Sequence, residues 1–176
     1  MFKHIKNVNV AGGSTQLNVD EVFTSTYEIY KVVWTNFTVQ TEFANDGMNF
    51  RLLDNSGSQI AADYDKTQLY ARGFSATFLE SKNTSNSAAT YFYTSTASNN
   101  GFNGGVMYVY FPYSARPTFM VHQASGRNYY QGTKGVMQKG AAVLNTNALC
   151  RGFQFEARSD CGNLTSGKVS VYGLKE

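Results

Sequence analysis

The chain has 176 residues and a mass of 19.5 kDa, a formal net charge of +3, and nearly as many aromatic residues as charged ones, about 15% of each. That length suits one full hydrophobic core and excludes two comfortable domains, while the wealth of Tyr, Phe, Val and Thr beside sparse Glu, Lys and Ala favours pleated sheet over helix. Lys and Arg are scattered singly and no stretch approaches the roughly 20 apolar residues of a membrane helix, so neither nucleic-acid binding nor membrane insertion is expected.

The N-terminal Met1–Lys6 has neither the apolar core nor the small-residue cleavage site of a secretory signal, so no cleaved export is expected. Residues 1–22 read as an extended arm: a short strand Asn7–Val10, a flexible Ala11–Ser14 break, and a second extended piece Thr15–Val22. Arms of this kind lie against a neighbour or against an edge of their own sheet. Residues 23–176 form the domain proper. Its organising element is the β-branched and aromatic run that ends at Val39, unbroken by Gly or Pro, with Tyr27, Ile29, Val33, Phe37 and Val39 on one face and Tyr30, Val32 and Trp34 on the other. A strand apolar on both faces belongs in the middle of a covered sheet.

Asn45-Asp46-Gly47 signals a turn, after which Met48, Phe50 and Leu52 alternate with Asn49 and Arg51. Asp54–Gly57 is expected to close a hairpin from which Ser58–Tyr64 returns as a strand. An apolar segment follows at Leu69, Tyr70, Phe74, Phe78 and Leu79, interrupted by Gly73, and then a polar connection Ser81–Ala89. Thr90–Thr94 is an aromatic strand, Ser95–Gly105 a second polar connection, and Val106–Phe111 a second two-sided strand ending at Pro112. Thr118–His122 leads into a loop, Ser125–Gly132. Val136–Val143 is weakly apolar, and Gly140-Ala141-Ala142 is the one place for a helical turn. Gly152–Ala157 and Lys168–Leu174 are period-2 strands joined by the turn-rich Ser159–Gly167. About eight to ten strands at short spacing predict an all-β fold, a two-sheet antiparallel β-sandwich of jelly-roll type, with a closed barrel as second choice.

Chemistry-bearing residues are sparse. Sugar hydrolysis needs two converging carboxylates, and the acidic residues here sit mainly in turns and at strand ends. Asp63 and Asp65 read as a solvated edge pair, His4 lies in the arm, and His122 is a lone histidine on an apolar strand, with no nucleophile elbow to serve. No metal or cofactor is expected. Cys150 and Cys161 flank one predicted strand, an arrangement open to a local disulfide under oxidising conditions, although cytosolic synthesis favours free thiols. The positive binding signal is aromatic: Tyr91, Tyr93, Phe102, Tyr113, Tyr129 and Tyr130, set among Asn, Gln and Ser, could stack on the apolar faces of sugars while amides reach the hydroxyls. The competing reading packs the same rings in the core or against a sister subunit.

Three segments carry a resemblance. The opening Phe23-Thr24-Ser25-Thr26-Tyr27-Glu28-Ile29-Tyr30, the hairpin Arg51-Leu52-Leu53-Asp54-Asn55-Ser56-Gly57-Ser58 with Ala62-Asp63-Tyr64, and the ending Ser166-Gly167-Lys168-Val169-Ser170-Val171-Tyr172-Gly173-Leu174 resemble small virion structural proteins of tailed bacteriophages, a group common among phages of cyanobacteria and other aquatic bacteria. The resemblance lies at the two ends of the chain and brings no catalytic residues with it. It implies a non-enzymatic protein made in the host cytoplasm and carried on the virion surface. Such a subunit would decorate or cement the capsid or form a small spike, self-associate as a homotrimer, and dock on capsid or tail proteins through its arm and sheet edges. The alternative is a receptor-binding fibre or spike head that recognises host surface polysaccharide through its loop aromatics. A free-standing carbohydrate-binding module and a hydrolase are the remaining readings.

Overall fold

The computed structural model describes residues 1–41, 47–73, 77–93, 95–96, 103–128 and 134–175, with the backbone alone at 91–93, 95–96, 127–128 and 134. The described residues form thirteen strands: β1 (Phe2–Asn9), β2 (Gln16–Val19), β3 (Ile29–Val39), β4 (Gly47–Asp54), β5 (Tyr64–Arg72), β6 (Leu79–Asn86), β7 (Thr90–Tyr93), β8 (Ser95–Thr96), β9 (Gly104–Tyr110), β10 (Thr118–Asn128), β11 (Lys134–Leu144), β12 (Cys150–Ala157) and β13 (Leu164–Leu174). They make a two-sheet β-sandwich of jelly-roll type. The larger sheet runs β1-β13-β3-β9-β10-β11-β5-β6, with β8 added in parallel to the end of β3, and the smaller runs β2-β12-β4-β7.

The two-sided run is central as its composition requires, flanked by β13 and β9. Tyr30, Val32 and Trp34 point into the sandwich, and so does Phe37, three residues after Trp34 and against strict alternation. The cause is Asn36, whose φ of 57° inserts a bulge that turns the strand over, so the faces inferred from an unbroken period of two hold only from Ile29 to that residue; Tyr27, before β3, packs beside Tyr30 at 5.8 Å and not on the face of Ile29 and Val33. From the smaller sheet, Phe50, Phe153 and Phe155 meet this face: Phe155 lies 5.7 Å from Trp34 and 5.1 Å from Phe37, and Phe50 stacks on Phe153 at 5.2 Å. These rings are fully buried, so truncating one such as Phe155 to alanine costs roughly 3–5 kcal/mol.

Residues 1–22 lie along edges of their own sandwich. Its first half is β1, paired with β13 at one border of the larger sheet, and its second half contains β2, paired with β12 at one border of the smaller. Val19 and Val22 enter the core. Four other expectations are corrected. The turn after β4 forms as expected, but the chain leaves after a single bridge, Leu53 to Gln59, and β5 starts at Tyr64 in the opposite sheet. The polar stretch from Ser81 lies in edge strand β6, because backbone pairing with β5 needs no apolar face at a border. β10 continues past Ser125 to Asn128, and β11 passes through Gly140-Ala141-Ala142 as strand, held in register on both sides by β10 and β5.

Candidate functional site

The six candidate aromatics divide in space. Phe102, Tyr129 and Tyr130 lie outside the described residues. Tyr91 and Tyr93 are on β7, which pairs with β4 so that Tyr93 sits opposite Gly47. Two residues after Tyr93, β8 runs beside Thr38 and Val39 of β3, and Asn36 of the same strand donates its N–H to the carbonyl of Asn103 at 2.7 Å. The end of β7, the start of β9 and the far end of β10, where Ser125 pairs with Gly104, are therefore grouped at one end of the sandwich. Tyr113 is at the other. It borders a recess of about 380 Å³ with Asn55 and Arg151, beyond the opposite end of β4 from Gly47. An eight-residue strand separates those ends by roughly 23 Å, so one small ligand cannot bridge Tyr113 and β7.

The carboxylates that the structure describes are largely engaged in holding the fold. Asp20 receives Arg151, whose Nε lies 2.7 Å from its Oδ1, and this contact holds the carboxyl below its ordinary range. Glu156 pairs with Arg51 across β12 and β4, Glu28 with Arg116 at 3.4 Å, and Asp160 with Arg158 at 3.6 Å. Asp54 accepts from Ser56 Oγ at 2.6 Å and from the N–H groups of Ser56 and Ser58, which lower its pKa and fix the turn. Asp65 accepts from Asn145 Nδ2 at 2.7 Å and the Ser85 N–H at 3.1 Å, whereas Asp63 precedes β5 with a φ of 63°, so the two do not form a pair along one strand. Among the described residues no three His, Cys, Asp or Glu side chains gather where they could hold a metal ion.

His122 is the one buried imidazole, and burial pushes its pKa down to about 4. Its Nε2 stands 3.4 Å from Thr90 Oγ1 and 3.5 Å from Gln68 Nε2, while the Tyr70 hydroxyl donates to Gln68 Oε1. This polar knot links β10 and β5 of the larger sheet to β7 of the smaller. It stitches the layers, and all four of its side chains are buried. Cys150 and Cys161 are free thiols, both fully buried, the first opening β12 and the second lying beyond its end at Ala157, so the local disulfide considered from sequence is not formed. Burial pushes the Cys150 thiol up to about 12.

The surface that sequence reasoning missed is the outer face of the larger sheet. Strand register lays its outward residues in rows. Ile29, Tyr110, Phe119, Val143 and Asp65 form one; Lys31, Tyr108, Val121, Ala141, Thr67 and Lys82 the next; Val33, Val106, Gln123, Lys139, Leu69 and Glu80 a third. Phe119, Val121, Leu69 and Met137 remain 47, 41, 46 and 47% exposed. A groove of about 560 Å³ floored by Ala141 and Val143 runs past Thr67 into another of about 320 Å³ beside Val121 and Lys139. The signal for this face was present in the two-sided strands, but alternation alone does not say which side the second layer covers.

No protein-family model and no curated protein matches the chain. Among solved structures it is similar to the GH131 β-glucanase catalytic domain from Podospora anserina, at 10% identity and a TM-score of 0.37, over 93% of this chain and 66% of that one. It is also similar to the CBM2 module of the evolved Dit of Lactobacillus casei BL23 phage J-1 (9% identity, TM-score 0.26, 92% and 70% covered) and to the family 7 alginate lyase A1-II′ (11% identity, TM-score 0.29, 94% and 72% covered). The chain spans just under two thirds of the β-glucanase domain's length. At such identities and scores no residue or activity of those proteins transfers to this chain.

Proposed function

We propose that this chain is a non-catalytic structural subunit on the exterior of a tailed-phage particle, one that works by self-association and contact with other virion proteins. The observation that carries the reading is a division of labour. The carboxylates described above are engaged in turns and ion pairs, and His122 is tied to Gln68 and Thr90, while large apolar side chains are left in water on the outer face of the larger sheet. A lone soluble domain gains nothing from such a face, whereas an assembly subunit uses it. The segments resembling phage virion proteins are the ones that frame the sandwich: Phe23 and Tyr30 in the core, the Asp54 turn, and β13 beside β3. The test is to locate the chain by mass spectrometry and electron microscopy of purified particles. Many copies on the capsid or tail surface are expected, and absence from the particle would overturn the reading.

A second reading, a receptor-binding head for host glycans, is favoured by the grouping of β7, which bears Tyr91 and Tyr93, with the strand ends at Gly104 and Ser125. A panel of host surface polysaccharides separates the two. Decoration predicts no saccharide binding and many copies per particle, and recognition predicts the reverse.

A further inference from the structure

The outer face of the larger sheet is apolar at its centre, stays apolar along the row Ile29, Leu174 and Phe2 towards β1, and is charged on the β6 side. Across it, Tyr108, Tyr110, Phe119, Val121, Ala141 and Val143 form a contiguous block on β9, β10 and β11. On the β1 side, Phe2 folds in over the face, its ring 6.2 Å from Tyr108 and beneath Lys31 Nζ at 5.5 Å. Beyond the block, β6 brings Glu80 and Lys82 to the face and β1 brings His4, while Lys3 and Lys6, opposite Gly173 and Val171, stand on the other side of that border strand. Charged, exposed border strands resist the addition of a further strand, so both edges of this sheet are poor docking sites while its face is a good one.

The size of the face decides what fits. Eight strands about 4.8 Å apart, carrying outward rows about 6.8 Å apart, present roughly 34 by 20 Å, or about 700 Å² in projection. That is close to the ~800 Å² each partner buries in a standard protein interface and far more than a few saccharide rings cover. The relief is of the right kind too. Phe119, Leu69 and Met137 protrude, and between them lie the grooves over Ala141 and Val143 and a third of about 290 Å³ beside Gly104 and Val106. A face that holds both knobs and hollows of side-chain size can serve as its own partner under two-fold symmetry.

We propose that two copies of this chain pack through the outer faces of their larger sheets, with Val121, Phe119 and Tyr108 at the centre of the contact. The proposal deepens the self-association in the function above and takes a two-fold pair where the sequence led to the expectation of a trimer, since a self-complementary face closes on one partner. The smaller sheet stays free for other virion proteins.

Sedimentation of the full chain at micromolar concentration tests this. The expected mass is that of two 19.5 kDa chains, shifting to one chain in Val121→Lys and in Phe119→Glu. Both positions are solvent-exposed in the single chain, so circular dichroism of the variants should match the parent. Leu79→Lys, on the border strand, should remain a pair. A monomeric parent would overturn the proposal, as would a trimer or a pair that survives Val121→Lys. Saccharide binding abolished by Val121→Lys in a monomeric parent would reassign the face to a ligand. Finding the chain in virions as a monomer would sink the pairing and leave the structural role intact; a pair absent from virions would do the opposite.

Discussion

Asn103 grips the backbone of Phe37 with both halves of its side-chain amide: Oδ1 accepts the Phe37 N–H at 3.2 Å, and Nδ2 donates to the Phe37 carbonyl. This clamp holds the bulge at Asn36 and so decides that Phe37 faces inward onto Phe155. Removing it in Asn103→Ala leaves two buried backbone groups without partners, and a loss of about 2–3 kcal/mol is expected. Asn103→Asp should be worse near neutral pH, because a carboxylate would face the Phe37 carbonyl. Asn36→Val forces a branched side chain into left-handed φ and should cost about 1–2 kcal/mol, whereas Asn36→Gly should be nearly silent. Urea midpoints at constant slope measure all four. An Asn103→Ala variant as stable as the parent would refute the clamp.

The bulge also marks how far the sequence could be read. The central place of β3, the inward set Met48, Phe50 and Leu52, and the turn at Asp54 follow from residue type and period, and all three are found. Whether a strand turns over depends on Asn103, distant in sequence, and no local signal announces it. The same holds for β6, whose Ser, Asn and Thr content reads as loop until β5 supplies a partner for its backbone. For the site, loop tyrosines drew the eye because polar neighbours surround them, yet the exposed block at Phe119 and Val121 depends on which sheet face the smaller layer covers. That is a property of the assembled layers, not of any one strand.

Gly140 faces His122 across β10 and β11, and a Cβ there would stand 2.7 Å from His122 Cε1 and run into the Thr67 carbonyl. One contact is an imidazole held by Thr90 and Gln68, the other is backbone, so neither yields cheaply. Gly140→Ala should therefore destabilise by roughly 1–3 kcal/mol through overpacking, despite the better strand behaviour of alanine. Thermal melts should show a lower midpoint, and a raised one would disprove the crowding.

Cys150 and Cys161 should be silent to thiol reagents in the folded protein. Both are fully buried, and the Cys150 thiol, pushed up to about 12, forms almost no thiolate at neutral pH. Labelling with a chromogenic disulfide should give no fast phase in buffer and two thiols per chain in denaturant, with electrophoretic mobility unchanged by reductant. Fast labelling would mean local opening, at the start of β12 for Cys150 and in the turn after it for Cys161.

His122 should make stability fall in mildly acid solution. Its pKa drops from 6.5 in the unfolded chain to about 4 in the fold, because burial penalises the imidazolium. Above pH 6.5 both states hold it neutral and the contribution is complete. As pH falls from 6.5 to 4 the unfolded chain binds a proton that the folded chain refuses, and below about 4 the two titrate alike. The span of two and a half pH units corresponds to roughly 3 kcal/mol lost across that window. Asp20 and Asp54, both lowered from 3.8, add their own loss only below that value, as protonation removes the Arg151 and Ser56 contacts. The two windows are separable by measuring urea midpoints from pH 7 to 3 in the parent and in His122→Gln. The variant should be flat between 6.5 and 4 and fall only below. If it follows the parent throughout, the acid sensitivity belongs to other groups and the neutral imidazole is not what ties β10 to β7.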